Sequence, residues 1–356
     1  MMSNTRRFRP VIAALSLGSI LVLAGCATPP EQGPATESDF CAVMVTNSGG
    51  LEDRSFNQSS WVGLQQAEEK LGIGAQVLVS TSESDLAPNV QAAVDTGCGF
   101  ILTVGYELAP ATAEQAELNP GVDFAIVDEQ IDGPNVKPIV FDTAQAAFLA
   151  GYLAAGVSTT GIVATFGGGN QPPVTLFMDG FVDGVAKYNE VHGTTVVALG
   201  WDKASQDGVF TGDFEDTGKG LATTQAFIDQ GADVILPVAG QVGEGAAAAA
   251  RDADGVAIIW VDNDGFETLP ADYRDLVLTS VLKNTGDAVA EIARQSSTDA
   301  FTNAPYIGTL ENGGVGLAPY HSLASRVPAE LSAELDGLRA AIIDGSLVIS
   351  SPSAPE

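Results

Sequence analysis

The chain has 356 residues, of which 45% are hydrophobic and 17% charged, a globular balance long enough for two domains. Its 45 acidic residues outnumber 15 basic ones, for a net charge of −30. That charge excludes a nucleic-acid binder, which needs basic surface to displace counterions, and it disfavours multiply phosphorylated ligands. The two histidines, His192 and His321, leave little for histidine-based catalysis or a histidine-rich metal site.

In chain order, residues 1–25 read as an export leader. Arg6, Arg7 and Arg9 precede an apolar stretch from Val11 to Leu23, which is short for a membrane span. It ends in Leu23-Ala24-Gly25-Cys26, which resembles the bacterial lipobox. The resemblance implies lipidation of Cys26 and anchoring on the extracytoplasmic face of the cell membrane. Residues 26–39 carry Pro29, Pro30, Gly33 and Pro34 and read as a flexible tether.

From residue 41 onward, apolar runs alternate with helical periodicity. The predicted strands are 41–46, 76–80, 99–104, 123–127, 161–166, 194–199, 233–238, 256–261 and 276–281. Continuous Val/Ile/Leu/Phe runs of this kind suit strands covered on both faces. The predicted helices are 57–71, 87–96, 108–118, 143–156, 174–189, 219–230, 241–252 and 285–297. A last helix after Pro328 places Leu331, Leu335, Leu338 and Ile342 on one face, with Gly345 at its end. The alternation predicts an α/β fold of parallel sheets flanked by helices, and nine strands suit two sheets better than one. Cys41 and Cys98 each open a strand. With those strands adjacent and parallel, both cysteines lie at one sheet edge, which predicts a Cys41–Cys98 disulfide in an exported chain.

Catalytic motifs fail on inspection. Gly167-Gly168-Gly169 lacks the third glycine of a dinucleotide fingerprint, because position 172 is Pro. Gly218-Lys219-Gly220 lacks the flanking residues of a P-loop, and Asp262-Asn263-Asp264-Gly265 lacks the closing Glu of a calcium loop. The residues alone favour a binding protein with no cofactor and no metal over an enzyme.

Several segments resemble the basic membrane protein family of bacterial lipoproteins, the nucleoside-binding components of ABC transporters. The first is Asn47-Ser48-Gly49-Gly50-Leu51-Glu52-Asp53-Arg54-Ser55-Phe56-Asn57-Gln58. Phe124 to Asp128, Ala147 to Tyr152, Gly180 to Gly184, Gly231 to Ile235, Ala239 to Gly243, Val261 to Asp264 and Leu278 to Lys283 follow in family order. The resemblance implies two Rossmann-like lobes of the type I periplasmic-binding architecture, joined by hinge crossovers. The expected lobes are 40–142 plus 282–303 and 143–281 plus 304–346, with 347–356 a C-terminal tail.

The resemblance also implies the ligand set. Phe56 and Phe214 are expected to sandwich the base, with Phe210 a competing choice for the second ring. Asn57 and Asp128 match base or ligand hydrogen-bonding positions. Asp262 and Lys283 match positions that hold the ribose, with Gly240 letting the backbone approach the sugar. The family has Asp where this chain has Asn47, so an amide that also donates replaces a carboxylate that only accepts. The implied function is capture of nucleosides, purine nucleosides first, by a monomer that delivers them to an ABC permease. The alternatives are a sugar or other small metabolite in the same fold, an exported nucleoside hydrolase using Asp53, Asp262 and Asp264, or a surface interaction protein.

Overall fold

A computed structural model describes residues 39–355. The leader, Cys26 and nearly all of the tether lie outside the described residues. No helix among the described residues is long and apolar enough to cross a membrane.

The first lobe runs β1 (Cys41–Val45), α1 (Phe56–Leu71), β2 (Gly74–Leu78), α2 (Glu83–Asp95), β3 (Phe100–Val104), α3 (Ala109–Leu118), β4 (Asp123–Val127) and β5 (Val136–Phe141). The chain then crosses to the second lobe. There it forms α4 (Thr143–Val157), β6 (Ile162–Gly167), α5 (Pro172–His192), β7 (Val197–Leu199), β8 (Trp201–Asp202) and β9 (Asp207–Gly208). It continues with α6 (Thr217–Ile228), β10 (Val234–Val238), α7 (Val242–Arg251), β11 (Ala257–Asp262), α8 (Gly265–Thr268), α9 (Ala271–Arg274) and β12 (Val277–Lys283). The chain returns for α10 (Thr285–Ser297) and β13 (Tyr306–Gly308), then crosses again to β14 (Val315–Leu317) and α11 (Ala329–Ile343).

The two six-stranded sheets have orders β13-β5-β4-β3-β1-β2 and β14-β12-β11-β10-β6-β7, parallel except for β14 against β12. The expected α/β architecture of two parallel-sheet lobes is therefore present. The crossovers lie side by side: Asp142 N–H donates to Gly308 O and Asn284 N–H to Gly314 O, both at 2.8 Å.

Packing explains two of the sequence motifs. Thirteen of the 15 residues of α4 are buried, as expected for a helix apolar on every side. Its Gly151 faces the backbone carbonyl of Phe181, while Gly180 and Gly184 on α5 face the carbonyls of Ala144 and Phe148; a Cβ at any of the three would approach within 2.0–2.3 Å. The Phe-Leu-Ala-Gly and Gly-Phe-Val-Asp-Gly runs thus encode a close helix crossing and no part of a site.

Three expectations need correction. The strand β5 is missing from the predicted set; it carries Lys137 and Pro138, residue types uncommon inside strands. In the fold Lys137 is buried, and its ammonium donates to the carbonyls of Thr302 and Ala304 at 2.7 Å each. Next, β13 pairs with β5, so the first lobe extends to Gly308 and not to 303. The strand β12 likewise belongs to the second lobe through Lys283. Last, residues 347–355 are clamped to the second lobe and do not trail from it. Ser351 Oγ donates to Asp179 at 2.6 Å, and Lys203 Nζ donates to Ser350 O at 2.5 Å.

Cys41 and Cys98 form a disulfide at the edge where β1 and β3 begin. It closes a loop across a sequence separation of 57. In the chain-entropy account that closure is worth about 4 kcal/mol. Replacing both cysteines by Ser is expected to lower the unfolding free energy by up to about that amount and to make it insensitive to reductant; urea unfolding with and without dithiothreitol checks this.

Candidate functional site

The carboxyl ends of both sheets face one cleft between the lobes, where open α/β sheets bind ligands. The cleft spans about 670 Å³, its open mouth included. Asn47, Phe56, Asp128, Phe214, Gly240, Asp262 and Lys283 all line it.

Lys283, the last residue of β12, stands at the centre. Its side chain is 4% exposed. Nζ lies 2.5 Å from Asp128 Oδ2 and 3.9 Å from Asp262 Oδ1. It also sits 4.5 Å above the centroid of the Phe56 ring and 5.6 Å from that of Phe141, both cation–π distances. The direct partner of Lys283 is thus Asp128 of the other lobe. Asp262 instead accepts from Ser55 Oγ, also across the cleft. Burial raises the pKa of Asp128, an effect countered by Lys283 and reinforced by Asp262. Both Asp128 and Asp262 have φ of 66°, a left-handed turn that bends each carboxylate off its strand end.

The two rings differ in how they are held. Phe56 opens α1 and is half-buried. Phe214 lies against the backbone of Gly168, where a Cβ would meet its ring at 2.4 Å. Phe210 takes another place, packed edge-on to Trp201 with centroids 5.9 Å apart. Of the two candidates, Phe214 is the one that lines the cleft. Gly167 and Gly168 are therefore seats for the rings of Phe210 and Phe214 respectively. Gly240 has φ of 53°, so its backbone enters the cleft wall in a conformation that favours glycine.

Asn57 occupies a different place from the expected one. It is 1% exposed and does not reach the cleft surface. Its Nδ2 donates to Asn47 Oδ1 at 2.7 Å, so it orients Asn47. The sequence reading missed Glu107 and Gln171, which also line the cleft. Glu107 follows Gly105 in a turn after β3, and its Glu-Leu-Ala setting reads as an ordinary helix start.

Of the three carboxylates considered for hydrolysis, Asp262 lines the cleft beside Lys283, and the other two cap helices. Asp53 accepts from the backbone N–H groups of Ser55, Asn57 and Gln58 at 2.7–3.1 Å, which makes it the cap of α1. Asp264 caps α8 through Phe266 N–H and pairs with His321 at 2.7 Å. No cluster of metal-ligating side chains occurs among the described residues.

The Asp53–Ser55 turn also ties the lobes together. Arg54 Nε donates to Glu244 Oε1 at 2.9 Å and Arg54 Nη1 to Thr268 O at 3.0 Å; Asn263 Nδ2 donates to Ser55 O at 3.0 Å.

Burial of Asp53 outweighs its three backbone bonds and pushes its pKa up to about 6. The folded protein therefore holds a proton there between about pH 4 and 6 that the unfolded chain has released. Stability from this group falls as pH rises through that window, by about 3 kcal/mol at most. Asp53→Asn is expected to remove that part of the slope, as measured by urea unfolding from pH 4 to 7.

Comparisons with known proteins bear on the family and the fold. The family profile described as ABC transporter substrate-binding protein PnrA-like (Bmp) matches residues 40–343. The chain is 31% identical over 360 residues to the "ABC transporter nucleoside-binding protein BmpA" of Lactococcus lactis subsp. cremoris, covering 96% of this chain and 98% of that one. It is 28% identical over 324 residues to "Basic membrane protein A1" of Borrelia garinii subsp. bavariensis, covering 88% and 89%. Among solved structures, an ABC transporter solute-binding protein from Aeropyrum pernix K1 superposes with a TM-score of 0.78 at 22% identity, covering 88% of this chain and 94% of that one. A two-lobed α/β chain with a lined interlobe cleft, matched along nearly its whole described length, is placed by these findings: it belongs to the PnrA-like Bmp family of ABC transporter substrate-binding proteins.

Proposed function

We propose that this substrate-binding protein captures nucleosides between its lobes, as a monomer anchored through a lipid on Cys26, and passes them to the membrane permease of its transporter. The carrying observation is the pair of phenyl rings, Phe56 from one lobe and Phe214 from the other, that line one cleft beside a buried Asp128–Lys283–Asp262 cluster. Flat rings suit a flat heterocycle, and stacking is worth about 1–3 kcal/mol per base. Carboxylates beside an ammonium suit vicinal hydroxyls, which donate to one and accept from the other. The name carried by the Lactococcus lactis relative supports the same ligand class. A neutral nucleoside also fits a chain of net charge −30 better than a nucleotide does.

The mechanism is closure around the ligand, without bond making. Phe56 and Asp128 stand on the first lobe, and Phe214, Asp262 and Lys283 on the second. A ligand touching both sets adds its contacts only when the lobes meet, and so favours the closed arrangement by that difference. The bonds of Arg54 and Ser55 to Glu244, Thr268 and Asp262 belong to that arrangement.

Nucleosides are expected to raise the unfolding temperature of the protein in a concentration-dependent way, whereas ribose and nucleoside monophosphates leave it unchanged at the same concentrations. Phe56→Ala and Asp262→Ala are each expected to weaken nucleoside binding about tenfold or more by titration calorimetry. Unchanged affinity in both variants contradicts the reading.

A further inference from the structure

A second polar group of the cleft surrounds Gly105, at the end of β3. Glu107 lines the cleft, and its Oε2 is buried without a hydrogen-bond partner among the described residues. Burial, and the nearby charge of Asp128, raise its pKa. A desolvated carboxylate oxygen without a donor is costly, and a ligand N–H would relieve that cost.

Asn47 stands beside it with the opposite capability. Its Oδ1 accepts from Gly49 N–H at 3.1 Å and from Asn57 Nδ2 at 2.7 Å. A backbone N–H cannot be an acceptor, so the amide is fixed with oxygen towards Gly49 and Nδ2 as the open donor. Glu107 Oε2 and Asn47 Nδ2 lie 2.7 Å and 3.3 Å from the point where a Cβ on Gly105 would sit. Glycine at 105, with φ of 116°, therefore leaves one donor and one acceptor side by side at the cleft wall.

We propose that Asn47 and Glu107 read the Watson–Crick edge of a 6-oxopurine base, so that guanosine and inosine are selected over adenosine. This rests on the nucleoside reading above. In guanine and hypoxanthine, O6 accepts from Asn47 Nδ2 and N1–H donates to Glu107; guanine adds an amino hydrogen at position 2 for the same carboxylate. Adenine inverts both positions. Its 6-amino hydrogens meet the Asn47 amide hydrogens, and its N1 lone pair meets the carboxylate. A site whose buried polar atoms are left unpaired by an analogue discriminates strongly against it. Asn at 47 is essential to the pattern, because a carboxylate there offers no donor to a 6-oxo group.

Titration calorimetry with guanosine, inosine and adenosine tests this on the wild type, Glu107→Gln and Asn47→Asp. The wild type is expected to bind guanosine and inosine about tenfold or more tightly than adenosine. Glu107→Gln is expected to weaken guanosine by about tenfold or more while leaving adenosine within about threefold. Asn47→Asp, an independent variant should Glu107→Gln fail to fold, is expected to collapse the guanosine-to-adenosine ratio. Nucleoside binding with adenosine equal or preferred in the wild type overturns the edge assignment and leaves the nucleoside reading standing. So does an equal loss for all three ligands in Glu107→Gln. Absence of binding by every nucleoside overturns both.

Discussion

The ammonium of Lys283 is the interaction on which the cleft depends. A lone lysine at 4% side-chain exposure carries a desolvation cost of several kcal/mol. Here that cost is offset by Asp128 at 2.5 Å, by Asp262 at 3.9 Å and by the faces of Phe56 and Phe141. Because Lys283 ends a strand of the second lobe and Asp128 follows a strand of the first, the close pair at 2.5 Å forms only when the lobes are together. The same ion pair thus holds the hinge side of the cleft and presents polar atoms to whatever enters it. A buried pair of this kind says little about global stability, but breaking it by removing one partner leaves a charge stranded.

The two lobes repeat one plan, and the repeat places the carboxylates. In each sheet the order runs through equivalent strands, with β4 in one corresponding to β11 in the other. Each of these strands runs into Val-Asp, with Asp128 just past β4 and Asp262 last in β11, and both aspartates have φ of 66°. Asp tolerates that conformation better than most side chains because its short carboxylate finds local partners. Lobe assembly then brings the two strand ends face to face, so that one lysine reaches both acids. The glycine-rich turns are shared out differently: Gly105 keeps room for Asn47 and Glu107, whereas Gly168 seats Phe214.

Much of this was legible in the chain itself. Buried parallel strands such as β3, β4 and β11 are apolar at all but one position each, and their runs fall within a residue or two of the observed ends. The cysteines at the starts of β1 and β3 were legible for the same reason, since strand adjacency brings them together. By contrast, β5 was hidden because it carries Lys137 and Pro138, and the partners that hold the Lys137 ammonium lie near 302–304, far along the chain. The short strands β13 and β14 carry three residues each, too few for any periodicity. At the site, Asp128, Asp262 and Lys283 were reached only through the resemblance of the segments that carry them to a known family, and local pattern alone does not single them out. Glu107 was not reached at all, because what distinguishes it is an unpartnered oxygen, a property of the packed structure. Which of Lys283's two carboxylates is its close partner is likewise decided by lobe assembly and is invisible in local sequence.

The most direct test of the account is a crystal structure of the protein grown with a nucleoside. The account predicts the base between Phe56 and Phe214, with the ribose hydroxyls on Asp128, Asp262 and Lys283. A nucleoside bound outside this cleft, or seated in it with its base away from both rings, would contradict it.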